Sequence, residues 1–307
     1  MRGYGRLMSI NGEFTTVVSD MSFTEGPRWR DGRLWFADFY THAIYSVAED
    51  GSGLRTEVEV PTQPSGLGWL PDGRLLYVSA LDNLVMRQES DGTTVVHADL
   101  TEHSPAQLND MIVDARGRCW IGQFGFDLMN GGDVELATLL RVDPDGTVVV
   151  VAEDLWFPNG MVVTGDGSTL LVNETFGNRV SAFDINADGE LGPRRDWAVF
   201  GPLPTSRSVG EIMAQGPVAP DGCGLDADGN LWIADALGGR AIRVAEGGEI
   251  LDTVLPGTGV FACMLGGADG RTLFLNCAPD FDKHARSVVR EAQILSVRVD
   301  TPHGGQP

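Results

Sequence analysis

Four oxygen-bearing side chains, Glu25, Asn109, Asn159 and Asp221, stand at the same place in successive copies of one short sequence pattern. Ser65 and Ala262 hold the two remaining places, and the six positions are spaced by 40, 44, 50, 62 and 41 residues. An all-oxygen set with two negative charges suits a hard cation: Ca²⁺ takes about 6–8 oxygens at roughly 2.3–2.6 Å, whereas transition metals favour His or Cys. Any single Asn is better read as a strand cap in a wet channel. Four such residues at equivalent points favour one divalent cation, Ca²⁺ first, with Zn²⁺, Mn²⁺ or Mg²⁺ as alternatives. Four protein ligands leave room for water or substrate, so the site reads as open.

The elements that must position this set are legible from their turns. Asp31-Gly32, Asp72-Gly73, Arg116-Gly117, Asp166-Gly167, Asp228-Gly229 and Asp269-Gly270 each precede a run of β-branched and aromatic residues, a strong hairpin signal. A period near 40–50 residues with several strands per unit is the signature of a β-propeller, one four-stranded blade per repeat. The expectation is all-β: a six-bladed propeller in one domain over residues 1–307, with 1–12 and 301–307 flexible. Each chemical residue should precede its innermost strand by one or two positions and so ring one mouth of the central channel. The strand around Val17 should complete the last blade beside residues 294–299, removing an open edge. Three long connections, 124–137, 203–219 and 279–288, read as binding loops.

Composition narrows the partners. The 307 residues carry 43 acidic and 22 basic side chains, a net charge of −21, which argues against nucleic acid or an anionic membrane. A small-molecule substrate is expected, with the oligomeric state open. Cys119, Cys223, Cys263 and Cys277 lie in apolar strand contexts without CxxC or zinc-type spacing and read as buried thiols. With no signal peptide and no run of 18 apolar residues, the expected location is cytoplasmic.

Glu25-Gly26-Pro27, Leu108-Asn109-Asp110, Phe157-Pro158-Asn159-Gly160 and Pro220-Asp221-Gly222 resemble the four signature segments of the SMP-30/gluconolactonase/LRE family. The stretch from Asn173 to Val180 resembles that family's fourth blade, and the likeness runs from about Phe23 to Val299. The resemblance implies a six-bladed propeller with one divalent metal at the channel mouth. Members include sugar-lactone hydrolases, a drug-responsive lactonase and, more remotely, phosphotriesterase-like proteins. Carried over residue by residue, Glu25, Asn159 and Asp221 match the metal ligands, and Asn109 matches an asparagine that contacts substrate and sometimes metal. One departure stands out: aldonolactonases have an arginine two residues before that asparagine, and here the residue is Gln107. Near it in sequence lie candidate wall residues Met111, Phe124, Phe126, Met129, Trp156, Phe157 and Met161; ordinary blade core accounts for Trp156 and Met161 at least as well.

The expected activity is metal-dependent hydrolysis of a lactone or ester, the cation polarising the carbonyl while a carboxylate takes a proton from water. Asp221 is the first candidate for that base and Asp110 the second. No Gly-x-Ser-x-Gly occurs, and His103 and His284 fall in loops, so a serine-hydrolase mechanism has little support. Two alternatives stay open: a non-catalytic binding propeller stabilised by the metal, and a non-lactone reaction on the same scaffold. Gln107 and the apolar residues Phe124, Phe126 and Met129 predict a preference for less polar substrates.

Overall fold

The structure, a computed structural model, describes residues 8, 9 and 13–304. Three of the Asp-Gly turns, at Asp72, Asp166 and Asp269, close through the Asp side chain. The Asp72 carboxylate accepts the Arg74 N–H at 3.1 Å and Asp166 accepts that of Ser168 at 3.0 Å, while the following glycine takes a positive φ, +89° at Gly73, a conformation with little steric cost only for glycine. The hairpins assemble into six antiparallel sheets. Their innermost strands, Thr24–Arg30, Pro64–Trp69, Leu108–Val113, Pro158–Val163, Pro220–Leu225 and Gly259–Gly266, touch one another in cyclic order. This is a six-bladed propeller.

The ring closes as expected. Thr15–Met21 is the outer strand of the sixth blade, antiparallel to Ala292–Arg298, with Val18 opposite Ile294. Both termini depart from expectation. Met8–Ser9 pairs in parallel with Ile250–Val254 on the fifth blade, so this part of 1–12 is a strand; the rest of that segment lies outside the described residues. Residues 301–304 are bound rather than free. The Pro302 carbonyl accepts the Ala227 N–H at 2.8 Å and the Gly304 N–H donates to the Leu225 carbonyl at 2.9 Å, satisfying polar groups where the inner strand of the fifth blade ends. Residues 305–307 lie outside the described residues.

The core sits between blades. Leu76, Val78, Leu108, Met111, Ile121 and Leu140 pack the second blade on the third, and Trp120, Leu139, Met161 and Val172 pack the third on the fourth. Met111 and Met161 are therefore core and not cavity wall. The four cysteines are buried and unpaired. No helix among the described residues is long and apolar enough to cross a membrane. The three long connections each carry a short helix: Leu128–Asn130 is 3₁₀, and Val209–Gln215 and Lys283–Val288 are α.

Candidate active site

The chemical residues lie inside their innermost strands, where the ladder breaks, rather than before them. Asn109, Asn159 and Asp221 are each the second residue of the strand, and pairing skips from Leu108 to Met111, Pro158 to Met161 and Pro220 to Cys223. In the first blade the skip falls just after Glu25. Such bulges re-aim side chains, here into the channel mouth. Neighbouring backbones come so close at this level that a Cβ on Gly160 would stand 2.5 Å from the Asp221 carbonyl oxygen. Glycine there is a condition of ring closure.

Glu25, Asn159, Asp221 and Thr175 form the polar part of one cavity of about 80 Å³. Burial pushes the Glu25 carboxyl well above the usual carboxylate range; the charges of Asp221 and Asp110 push the same way, while the Gly26 amide and Arg28 oppose. Asp221 is pushed up by burial first and by Asp110 second, with a hydrogen bond from Asn159 opposing. Both shifts favour the neutral acids, and a nearby positive charge would oppose them. The Asn159 amide nitrogen donates to the Thr175 hydroxyl at 3.1 Å, leaving its oxygen uncommitted. Asn109 donates to the Pro158 carbonyl at 3.2 Å, which also leaves its oxygen uncommitted. Among the described residues no three His, Cys, Asp or Glu side chains form a ready metal cluster. The donor set that lines the cavity, two carboxylates and the Asn159 amide oxygen, fits a hard ion, and Asn109 does not line it.

The other expected residues take different places. Asp110 faces away from the cavity toward buried Arg28, pairing with its guanidinium at 3.1 Å and accepting the Met111 N–H at 2.8 Å. It ties the first blade to the third. Gln107 does not line the cavity either: its carbonyl accepts the Phe124 N–H at 3.0 Å, and its amide nitrogen is buried without a partner. Phe124 and Met129 line the cavity, whereas Phe126 stands behind, 5.9 Å from the rings of Phe157 and Phe176. Ala262, at the sixth ring position, is fully buried, and the adjacent Phe261 lines the cavity.

One repeated device builds the walls. In five blades the residue two before the ring position accepts, through its carbonyl, the N–H of the residue that follows the second strand: Phe23 from Phe39, Gln63 from Ala80, Gln107 from Phe124, Phe157 from Thr175 and Ala219 from Ala236. On the first, fourth and fifth blades both side chains line the cavity, on the third only Phe124 does, and on the second neither Gln63 nor Ala80 does. On the fourth blade this needs Phe157 at φ +62°, a rare backbone state for a bulky residue. It is held by fully buried Glu174, which accepts the Trp156 N–H at 2.8 Å and the Arg179 guanidinium at 2.8 and 2.9 Å. Sequence reasoning missed Glu174 and Thr175 as supports. The signal was available, because Asp38 and Asp235, which end the second strand of their own copies, likewise collect loop N–H groups. His103 does not line the cavity, and His284 lines a neighbouring cleft of about 430 Å³.

Comparison with known proteins agrees with this architecture. A family model described as the SMP-30/Gluconolactonase/LRE-like region matches residues 23–278. The chain is 28% identical over 296 residues to 6-deoxy-6-sulfogluconolactonase of Pseudomonas putida, covering 92% of this chain and 93% of that one. It is 30% identical over 265 residues to regucalcin of Danio rerio, covering 83% and 82%. Among solved structures, the calcium-binding protein regucalcin of Agrobacterium tumefaciens matches with a TM-score of 0.78 over 99% of both chains; at 19% identity this likeness bears on the fold alone.

Proposed function

Because the chain belongs to the SMP-30/gluconolactonase/LRE-like family, we propose that it is a metal-dependent hydrolase of lactones or related esters. The observation that carries this reading is the pair of buried carboxylates, Glu25 and Asp221, facing one cavity beside the Asn159 carboxamide. Lactonase relatives support the reaction class, and a donor set of carboxylate and amide oxygens supports the cofactor. Glu25, Asn159 and Asp221 would hold the ion, with Asn109 as fourth ligand or substrate contact. A divalent cation so bound supplies the positive charge that polarises a carbonyl and offsets the developing oxyanion.

The chain's own groups do the rest. Asp221 faces the cavity and takes the proton of the attacking water; Asp110 is committed to Arg28 and positions strands instead. The proton then passes to the departing oxygen as the acyl C–O bond breaks, giving a hydroxy acid from a lactone. Phe23, Phe124, Phe157, Phe176 and Phe261 around the carboxylates exclude bulk water, which strengthens each electrostatic contact.

A hydrolysis screen over lactones, aryl esters and phosphotriesters tests this, run metal-free and then with Ca²⁺, Zn²⁺, Mn²⁺ or Mg²⁺. Lactone or ester turnover should appear only with metal. Glu25→Ala and Asp221→Ala should lose both metal and turnover while keeping a folded ring. Stoichiometric metal in both variants would overturn the ligand assignment, and metal binding with no turnover would leave a structural ion in a binding propeller.

A further inference from the structure

We infer that the substrate is an uncharged lactone or ester bearing an apolar alkyl or aryl substituent, rather than a polyhydroxylated or anionic sugar lactone. The inference rests on the hydrolase reading above and deepens it. Apart from Glu25, Asn159, Thr175 and Asp221, every residue lining the cavity is apolar, and no Arg, Lys or His is among them. Two aromatic groups face each other across the mouth. Phe124, Phe157 and Phe176 form one, with ring centroids 4.5 Å apart for Phe124–Phe157 and 5.0 Å for Phe157–Phe176. Phe23, Phe39 and Phe261 form the other, at 5.3 Å for Phe23–Phe39 and 4.9 Å for Phe23–Phe261.

This chemistry discriminates. Each sugar hydroxyl taken from water needs a replacement hydrogen bond, and phenyl rings supply none. No Arg, Lys or His side chain lines the cavity to pair with an anionic substituent, and the proposed cation is taken up by Glu25, Asp221 and the reacting carbonyl. A neutral substrate needs no such partner. The substituent has somewhere to go: Leu128, Met129 and Phe281 also line the adjoining cleft of about 430 Å³. They belong to insertions in two different blades and make the side of the cleft next to the cavity apolar, while Asp282, Lys283, His284 and Ser287 line the rest of it.

The test compares kcat/KM of the metal-loaded protein for gluconolactone, unsubstituted γ-butyrolactone, and γ-lactones carrying a hexyl or phenyl group. The substituted lactones should exceed gluconolactone by on the order of 50-fold, the scale of burying one such group. Phe281→Ser and Met129→Gln change side chains at the rim and should narrow the ratio between substituted and unsubstituted lactone severalfold. Preference for gluconolactone, or a ratio unmoved in both variants, would overturn the inference while leaving the hydrolase reading intact. Absence of turnover with every lactone and ester would overturn both.

Discussion

A hydroxyl and a carboxylate orient Asn159, which hydrogen-bonds both Thr175 and Asp221. Thr175 has one proton to give, and it donates that proton to the Pro220 carbonyl at 2.9 Å. Its oxygen can therefore only accept from Asn159, and the amide nitrogen that bonds it at 3.1 Å is held there. The amide oxygen is left uncommitted in a side chain that lines the cavity. Thr175→Val deletes the acceptor and frees the amide to flip, so Ca²⁺ affinity measured by calorimetry should fall about 10- to 100-fold, the usual effect of losing a group that orients a metal ligand. Thr175→Ser keeps the oxygen and should restore most of it. Equal affinity in Thr175→Val and the native protein would remove Thr175 from the site's support.

At the scale of elements, the closing strand matters most. Thr15–Met21 covers the edge of Ala292–Arg298, and Val17, Val18 and Met21 point into the core between the sixth and first blades. Without it the sixth sheet ends in an open edge, which invites pairing with other chains. Removal of residues 1–21 should therefore abolish a single cooperative unfolding transition and promote aggregation, as read by denaturant titration and light scattering. Val18→Ala tests the same packing more gently and should cost about 1–3 kcal/mol. A truncated chain that unfolds as sharply as the full one would show that closure lies elsewhere.

For the whole molecule, the site and the ring share one electrostatic problem. The innermost strands deliver Glu25, Asp110 and Asp221 toward one axis, and the Arg28 guanidinium opposes their charge at Glu25. A bound dication should stabilise the entire ring by about 2.7 kcal/mol at a concentration 100-fold above its Kd. Calorimetric Tm should rise by several degrees with the preferred metal and fall back on chelation. A Tm unmoved by Ca²⁺, Mg²⁺, Mn²⁺ and Zn²⁺ in turn would count against a cation at this mouth.

Turn chemistry and period are local properties, and they carried the architecture. Asp-Gly pairs before alternating apolar runs imply hairpins, and five of them in phase with Arg116-Gly117 imply six blades, inner strands and a ring of equivalent positions. Glu25, Asn159 and Asp221 were legible for that reason, since repeat symmetry alone brings them together. What surrounds them depends on contacts between blades. Asp110 stands next to Asn109 in sequence, yet its partner Arg28 lies 82 residues away. Phe124 and Phe126 look alike in the chain, but only Phe124 faces the cavity, because Phe126 packs behind Phe157 and Phe176. The opposite wall joins Phe23, Phe39, Phe261 and Phe281 from the first and sixth blades, which meet only when the ring closes. Side-chain direction at a bulge and burial against a distant blade are decided by packing, and no local pattern encodes them.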